Sequence, residues 1–159
     1  MVDFKKACGF FGHREVIGDS ELYEELCRLV KELVEKKDIE TFLFGSRSRF
    51  DSLCYNAVSC IKEQYQNIKR VYVRAEYPFI TKEYEEYLLK DYEYTYYPDK
   101  MIGAGRAVYV ERNIEIINNS EYCIFYYNPN RDIKQSGTKK AYDYALRKGV
   151  KTYNLYKGE

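Results

Sequence analysis

Short apolar segments alternate along this chain with longer segments of helical periodicity, and this alternation is the strongest constraint on its fold. The short segments predict strands at Lys6–Phe11, Thr41–Phe44, Arg70–Ala75, Glu93–Tyr97, Tyr122–Tyr127 and Thr152–Leu155. The longer ones predict helices at Ser20–Lys36, Asp51–Tyr65, Thr81–Asp91, Ala107–Asn118 and Thr138–Lys148. Alternation of this kind is typical of an α/β fold with helices on both faces of a parallel sheet. We therefore expect a single domain over residues 1–159, a Rossmann-like three-layer sandwich with a mostly parallel sheet.

Local signals refine the ends and faces of these helices. Asp19 or Ser20 suits the N-cap of the first helix, and Gly149 suits the C-cap of the last. In the fourth helix, the spacing of Val108, Ile114 and Ile117 predicts one buried face.

Composition limits the classes of function. The 159 residues suit one globular core, and 45% of them are hydrophobic. Charged residues make up 32% of the chain but balance to a formal +1, which argues against a long-range electrostatic hold on nucleic acid. No apolar run approaches the length of a membrane span, and the N-terminal segment shows no signal-peptide cleavage site. We expect a cytoplasmic protein that is not embedded in a membrane.

Cysteine, histidine and tyrosine usage adds three expectations. The chain has five cysteines without a CxxC pair and one histidine, so we expect no metal site. Cysteines dispersed in this way are most often buried, reduced thiols; they are Cys8, Cys27, Cys54, Cys60 and Cys123. The 19 tyrosines are mainly packing residues, and the sequence does not single out one that would stack on a ligand.

Four predicted strand exits are rich in glycine, serine, threonine and arginine: residues 9–14, 45–51, 102–106 and 135–138. In parallel sheets, ligands bind where the carboxyl ends of the strands meet these loops, near the topological switch point. Glycine lets a backbone approach a ligand, Arg14 offers a planar fork for a phosphate, and helix N-termini favour anions. Turn and cap chemistry explains each loop alone. Four loops on one edge of the sheet favour an anionic ligand.

The single histidine, His13, follows the first predicted strand. An imidazole can act as a general base near neutral pH. The sequence identifies no Asp or Ser partner at a useful spacing, so a structural or ligand-bonding role is favoured for His13.

At these loops the chain resembles a known superfamily. The segment CGFFGHR resembles the C-x-[FT]-[TF]-GHR opening of the YpsA-type branch of the SLOG superfamily. FGSRSRFDSLCYNAV is similar to the superfamily's G-x-x-x-G-x-D-x-x-A segment, seen also in DNA-processing protein A, except that Phe50 stands where glycine is common. ERNIEIINNSEYCIFYYN and SGTKKAYDYALRKGVKTYNLY resemble segments of YpsA-type and LOG-type proteins. The resemblance implies a Rossmann-like domain that binds nucleotides or molecules derived from them, commonly as an oligomer.

One departure from the resembled pattern bears on activity. LOG-type phosphoribohydrolases use an arginine, matched here by Arg112, and a glutamate, at whose position this chain has Ala141. Alanine cannot stabilise an oxocarbenium-like ribose or position water. Asp143 is rotated by about 200° from residue 141 on a helix, so it faces elsewhere. The phosphate-binding part of the pattern is kept and the bond-cleaving part is not.

The sequence therefore favours a binding protein, a sensor or sequestering domain for a phosphate-bearing nucleotide or nucleotide-derived signal of ADP-ribose-like or cyclic type. Stress or phage-defence signalling is the setting that the resemblance implies, and no cofactor besides the ligand is required. The predicted ligand-binding residues are Gly12, His13, Arg14, Gly45, Ser46, Arg47, Asp51, Arg112, Ser136, Gly137 and Thr138.

Two alternatives stay open at this point. The first is a nucleotide N-glycosidase or phosphoribohydrolase in which Arg112 acts together with a carboxylate from another loop, Glu76 or Glu111. Release of free base from nucleoside monophosphates or NAD would identify it. The second is a single-stranded DNA-binding protein, which the near-neutral charge disfavours and a strongly salt-dependent gel shift would support.

Overall fold

The computed structural model describes residues 6–46, 48–130 and 136–158. The strands are β1 (Ala7–Gly12), β2 (Thr41–Phe44), β3 (Lys69–Val73), β4 (Tyr94–Tyr96), β5 (Tyr122–Tyr126) and β6 (Lys151–Asn154). The helices are α1 (Asp19–Lys37), α2 (Arg49–Lys62), α3 (Lys82–Leu88), α4 (Val108–Asn118) and α5 (Gly137–Lys148). Two short 3-10 turns, Asp99–Met101 and Gly105–Ala107, precede α4.

The six strands form one sheet in the order β4-β3-β2-β1-β5-β6. Every pairing is parallel, and Cys8 of β1 lies opposite Phe42 of β2 on one side and Tyr122 of β5 on the other. The chain runs outward from β1 to β4, crosses back to place β5 beside β1, and ends at β6. The predicted Rossmann-like α/β class is confirmed, and the switch point lies between β1 and β5.

Each face of the sheet is covered by a helix pair. In β2, Phe42 and Phe44 pack in one apolar core with α1 and α2, whereas Leu43 packs in a second core with α4 and α5. All four residues of β2 are buried, as expected for a central strand covered on both sides. Successive side chains of β2 therefore pack alternately in two separate cores.

The N-cap predicted for α1 is wrong. Gly18 occupies that position with φ 71°, in the left-handed region that glycine adopts most readily, and no side chain caps the helix. Asp19 instead forms an ion pair with Arg49 at the start of α2, so its carboxylate links the two helices. The predicted C-cap of α5 is confirmed, since Gly149 adopts φ 74° there.

The buried face of α4 also differs from the predicted one. Ile116 and Ile117 are buried, whereas Val108 and Ile114 are only partly so. The reason is a close approach of the helix to the sheet, because a Cβ at Gly9 would lie 2.5 Å from Ile116 Cγ2. Because Gly9 has no side chain, Ile116 of α4 can pack directly against β1.

The cysteines fit the expected thiols in part. Cys8, Cys54 and Cys123 are buried, Cys27 is half-buried and Cys60 is exposed; all are unbridged. Burial raises the pKa of the Cys123 thiol to about 12, so this sulfur is a poor nucleophile at neutral pH. Within the described ranges, none of the helices combines the length and apolar character needed to cross a bilayer.

Candidate ligand-binding cleft

An open cleft of about 790 Å³ lies at the carboxyl ends of β1 and β2, over the switch point. Ten predicted ligand-binding residues line it: Gly12, His13, Arg14, Gly45, Ser46, Asp51, Arg112, Ser136, Gly137 and Thr138. Arg47, the remaining one, lies outside the described residues. The structure thus brings three of the four predicted loops to one place. The fourth, residues 102–106, contributes nothing to the lining and forms the turns that lead into α4.

The glycine at the end of β1 serves packing. A Cβ at Gly12 would lie 2.4 Å from the ring of Phe50, the second residue of α2. Phe50 is fully buried, so neither side could move away cheaply. Gly12 therefore lets α2 begin directly against the end of β1, which is a different use of glycine from the approach to a ligand that the sequence suggested.

His13 joins the two strands at the switch point. Its backbone N–H donates to the carbonyl of Tyr126 at 3.2 Å, and its Nε2 accepts a hydrogen bond from the backbone N–H of Asn128 at 2.9 Å. The ring is 7% exposed and lies beside Tyr127. Because Nε2 accepts, that nitrogen is unprotonated and is already engaged. These contacts support the structural role favoured for His13 over general-base catalysis.

His13→Ala is expected to lower the free energy of unfolding by about 2 kcal/mol, because the Asn128 N–H loses its acceptor and a buried ring is removed. Urea unfolding measures this loss. Hydrogen exchange should quicken more at the Asn128 amide than at the Glu121 amide, which bonds Ala7 at the opposite end of the same strands and responds only to the loss of global stability. Equal exchange at Asn128 in both proteins would contradict the assigned bond.

Arg112 of α4 forms one wall of the cleft. Its guanidinium donates from Nη1 to the carbonyl of Gly45 and from Nε to Asn113 Oδ1 at 3.2 Å, and it lies 5.7 Å from the centre of the Tyr109 ring. A Cβ at Gly45 would lie 2.7 Å from Arg112 Cδ, so glycine is needed there for the side chain to pass. Burial lowers the pKa of Arg112, and the nearby Asp51 carboxylate opposes that shift. The arginine is thus fixed against the end of β2 before any ligand arrives.

Asp51 places a buried carboxylate in the first turn of α2. Its Oδ2 accepts from the hydroxyls of Ser46 and Ser48, and its backbone N–H donates to Ser48 Oγ at 3.2 Å, which caps the helix. Oδ1 is the one buried side-chain nitrogen or oxygen without a hydrogen-bond partner in the part of the chain that the structure describes. Burial raises the pKa of Asp51 from 3.8 to about 6, although Ser46, Arg112 and Ser48 act in the opposite direction.

This carboxylate changes one expectation about the cleft. The sequence suggested that the N-terminus of α2 would favour an anion, but Asp51 already places a negative group there. A ligand phosphate at that point would meet a carboxylate with raised pKa rather than free N–H donors. The Asp51 end of the cleft suits hydrogen-bond donors instead.

The N-terminus of α5 has the opposite character. Ser136 Oγ accepts from the backbone N–H of Lys139 at 3.0 Å, which caps the helix. Among the described residues, the backbone N–H groups of Gly137 and Thr138 have no acceptor, and both residues line the cleft. A Cβ at Gly137 would meet nothing within 4 Å, so the space beside it is open. Free donors and the positive end of the helix dipole suit an anion at this end.

Sequence reasoning missed several residues of the lining. Ser48, Tyr109 and Asn113 add polar groups to the cleft, and Phe10, Phe11 and Ile116 add apolar surface. Tyr109 lies three residues before Arg112, which places the two side chains on one face of α4. That helical spacing was the available signal for Tyr109.

Neither the position of the missing glutamate nor the carboxylates considered in its place line the cleft. Ala141 is 3% exposed in the core between the sheet and α5. Asp143 forms an ion pair with Lys139 at 2.8 Å, and neither it nor Glu111 lines the cleft. Glu76 accepts a hydrogen bond from the hydroxyl of Tyr109, at the edge of a neighbouring pocket. Asp51 is the acidic side chain that the described part of the cleft contains.

The cleft therefore has an acceptor-rich end at Asp51, a donor-rich end at Gly137 and Thr138, and Arg112 fixed in its wall. Within the described residues, no group of three or more His, Cys, Asp or Glu side chains is arranged to hold a metal ion. Comparison of the sequence with protein families finds no matching family model, and comparison with curated proteins finds no match.

Proposed function

We propose that this chain binds a phosphate-bearing nucleotide or nucleotide-derived signal and acts as a cytoplasmic sensor or sequestering protein. One observation carries the proposal: donors that suit a phosphate and an acceptor that suits a sugar hydroxyl line one cleft over the switch point of a parallel sheet. The resemblance to the SLOG superfamily points to the same class of ligand.

The phosphate is assigned to the N-terminus of α5. The N–H groups of Gly137 and Thr138 and the Thr138 hydroxyl supply donors, and Arg14, an exposed residue, lines the same cleft. Charge-assisted hydrogen bonds of this kind are about twice as strong as neutral ones.

The sugar is assigned to the Asp51 end. Ribose hydroxyls are donors, and the hydroxyl oxygens of Ser46 and Ser48, which donate their own protons to Asp51, line this end and can accept from them. The volume of about 790 Å³ lies within the range of roughly 300–1,000 Å³ typical of small-molecule sites. A nucleoside with one or two phosphates matches both the size and the polarity.

Calorimetric titration with AMP, ADP-ribose and cyclic nucleotides tests the proposal, with adenosine as the control that lacks phosphate. At least one phosphorylated ligand should bind, and adenosine should bind at least tenfold more weakly. Thr138→Val removes one hydroxyl and should weaken the phosphorylated ligand about tenfold. Arg14→Gln should weaken it as well, whereas Arg147→Gln, at the other end of α5, should not.

Equal affinity for adenosine and its phosphates, or no loss in Thr138→Val and Arg14→Gln, would contradict the phosphate assignment. Native mass spectrometry of the protein purified from its host gives a second measurement. We expect a retained small molecule with the mass of a phosphorylated nucleoside. The same spectrum reports whether the chain forms the oligomer that the resemblance implies.

A second candidate function is hydrolysis of a nucleotide N-glycosidic bond, and Asp51 is the observation that favours it. A carboxyl group with a pKa of about 6 in a cleft can take a proton from an attacking water near neutral pH. Incubation with nucleoside monophosphates and NAD, followed by chromatography for free base, separates this activity from binding. Turnover that is lost in Asp51→Asn would favour the enzyme, and the absence of free base would favour the binding protein.

A further inference from the structure

A second pocket, of about 100 Å³, lies beside the cleft and shares Tyr109 and Arg112 with it as walls. Arg74, which directly follows β3, lines this pocket, and so do Tyr77 and Tyr84. Its volume suits a group of the size of a phosphate. We refer to it as the Arg74 pocket.

Arg74 is buried, with 8% of its surface exposed. Its Nε donates to the carbonyl of Tyr77 at 3.2 Å and its Nη1 donates to Thr95 Oγ1 at 3.2 Å. Both acceptors are neutral, and no carboxylate of the described residues lies within 4.0 Å of the guanidinium. Burial lowers the pKa of Arg74. Glu85 acts on the guanidinium without forming an ion pair with it. A buried guanidinium without a directly bonded carboxylate is costly, so an anion that reached it would be bound strongly.

One guanidinium nitrogen of Arg74, Nη2, has no hydrogen bond among the described residues. Asp51 Oδ1 is the one fully buried side-chain polar atom without a partner in the described ranges, so no nitrogen of Arg74 is sealed away unpaired. Nη2 therefore keeps some exposed surface, and Arg74 lines the pocket.

The backbone beside Arg74 is held in an unusual conformation. Tyr77 has φ 57°, in the left-handed region that bulky residues rarely adopt, and its carbonyl is an acceptor for Arg74. The Tyr77 ring packs edge-on against Tyr84. Such backbone strain is retained where the surrounding structure requires it, and it clusters at ligand sites.

We propose that the Arg74 pocket binds a second phosphate group of the ligand held in the cleft. The inference rests on the proposed function and narrows it: the ligand is a nucleotide whose two phosphates are separated by a ribose, such as a nucleoside 3′,5′-bisphosphate or a dinucleotide, rather than a nucleoside monophosphate. Arg74 and Arg112 supply two positive charges around the pocket, and Glu76 supplies one negative charge at its edge. Glu85 also acts on Arg74, so anion binding here depends on direct hydrogen bonds to the Arg74 guanidinium rather than on net charge.

The Glu76→Gln variant is expected to bind phosphate more tightly than the unchanged protein. A misfolded variant could not produce that result. Glu76 is exposed, so Glu76→Gln should fold normally. Loss of its negative charge should tighten the binding of inorganic phosphate at least threefold in calorimetry. Arg74→Gln should weaken adenosine 3′,5′-bisphosphate at least tenfold and leave AMP within twofold of the unchanged protein. Unchanged phosphate affinity in Glu76→Gln would overturn the proposal.

Anomalous diffraction from wild-type crystals soaked in selenate avoids any dependence on folding of the Arg74 variant. A selenium peak within hydrogen-bond distance of Arg74 supports the site, and peaks only elsewhere overturn it. Competition then distinguishes a free phosphate from a second phosphate of the ligand. Inorganic phosphate should compete with adenosine 3′,5′-bisphosphate more strongly than with AMP, because it meets AMP only at the N-terminus of α5; equal competition with both ligands overturns the assignment to the ligand.

The proposed function can fail separately from this inference. AMP binding that depends on Thr138, together with no anion at Arg74, would keep the proposed function and remove the second site. Phosphate at Arg74 without binding of any nucleotide would remove the proposed function and, with it, the assignment of this pocket to the ligand.

Discussion

Asp51→Asn is expected to stabilise the folded chain at pH 7.5 by about 2 kcal/mol. The charged carboxylate is buried with Oδ1 unpaired, and the rise of its pKa from 3.8 to about 6 corresponds to about 3 kcal/mol. Asparagine carries no negative charge to interact with the helix dipole in the first turn of α2, and this loss costs about 1 kcal/mol. The larger effect decides the sign.

The pH dependence identifies the cause. Between about pH 4 and pH 6 the folded state holds a proton on Asp51 that the unfolded state has released, so the stability of the unchanged protein falls as the pH rises through this window. The advantage of Asp51→Asn should therefore be small near pH 4, grow through the window and reach its full size above about pH 7.

Urea unfolding at about pH 4.5, 6 and 7.5 measures the difference. Asp143→Asn is the matched control, because that carboxylate is partly exposed and paired with Lys139. It should show no comparable gain at the highest pH. If Asp51→Asn gives no gain in unfolding free energy at the highest pH, or the same gain at the lowest pH, the assignment of an unpaired buried charge to Asp51 is contradicted. The same variant should bind the nucleotide more weakly, since a costly charge kept in a cleft is typical of a functional site.

Gly12→Ala is expected to destabilise the chain by about 3 kcal/mol. Its new methyl would lie 2.4 Å from the ring of Phe50, so α2 must move away from the end of β1. Chemical denaturation followed by circular dichroism gives the change in unfolding free energy. Gly137→Ala is the control with the same chemical change in open space, and we expect at most about 1 kcal/mol there, in either direction.

A double-mutant cycle tests the contact itself. In a Phe50→Ala background the cost of Gly12→Ala should fall below half, because the ring atoms are gone and only the contact with the Cβ of residue 50 remains. A cost that stays the same in both backgrounds would mean that Gly12 is needed for another reason.

The fold was predictable from the sequence because strand and helix periodicities differ clearly. The strand Thr41–Phe44 agrees residue for residue, and most other ends differ by one or two residues. Helix α2 begins two residues before the predicted Asp51, because Ser48 caps it. These differences arise from caps and turns, which short-range patterns specify weakly.

The location of the cleft was also predictable, because parallel strands carry their loops to one edge. Contacts between distant segments were not. Gly12 meets Phe50, and Arg112 meets Gly45, across 38 and 67 positions of the chain respectively. These contacts depend on how α2 and α4 cross the sheet, which short-range sequence patterns do not specify. The buried state of Asp51 follows from the same packing.

The strand order has a consequence for how the cleft comes into being. Strands β1 to β4 are joined by successive local crossovers, and so are β5 and β6, but a single pairing, β1 with β5, joins these two groups in the sheet. Arg14 and Asp51 belong to the first group, and Thr138 belongs to the second. Two fragments divided between β4 and α4 would each carry half of the cleft and could regain it only by reassociating. A ligand that contacts both groups should therefore shift the equilibrium of split fragments toward the complex.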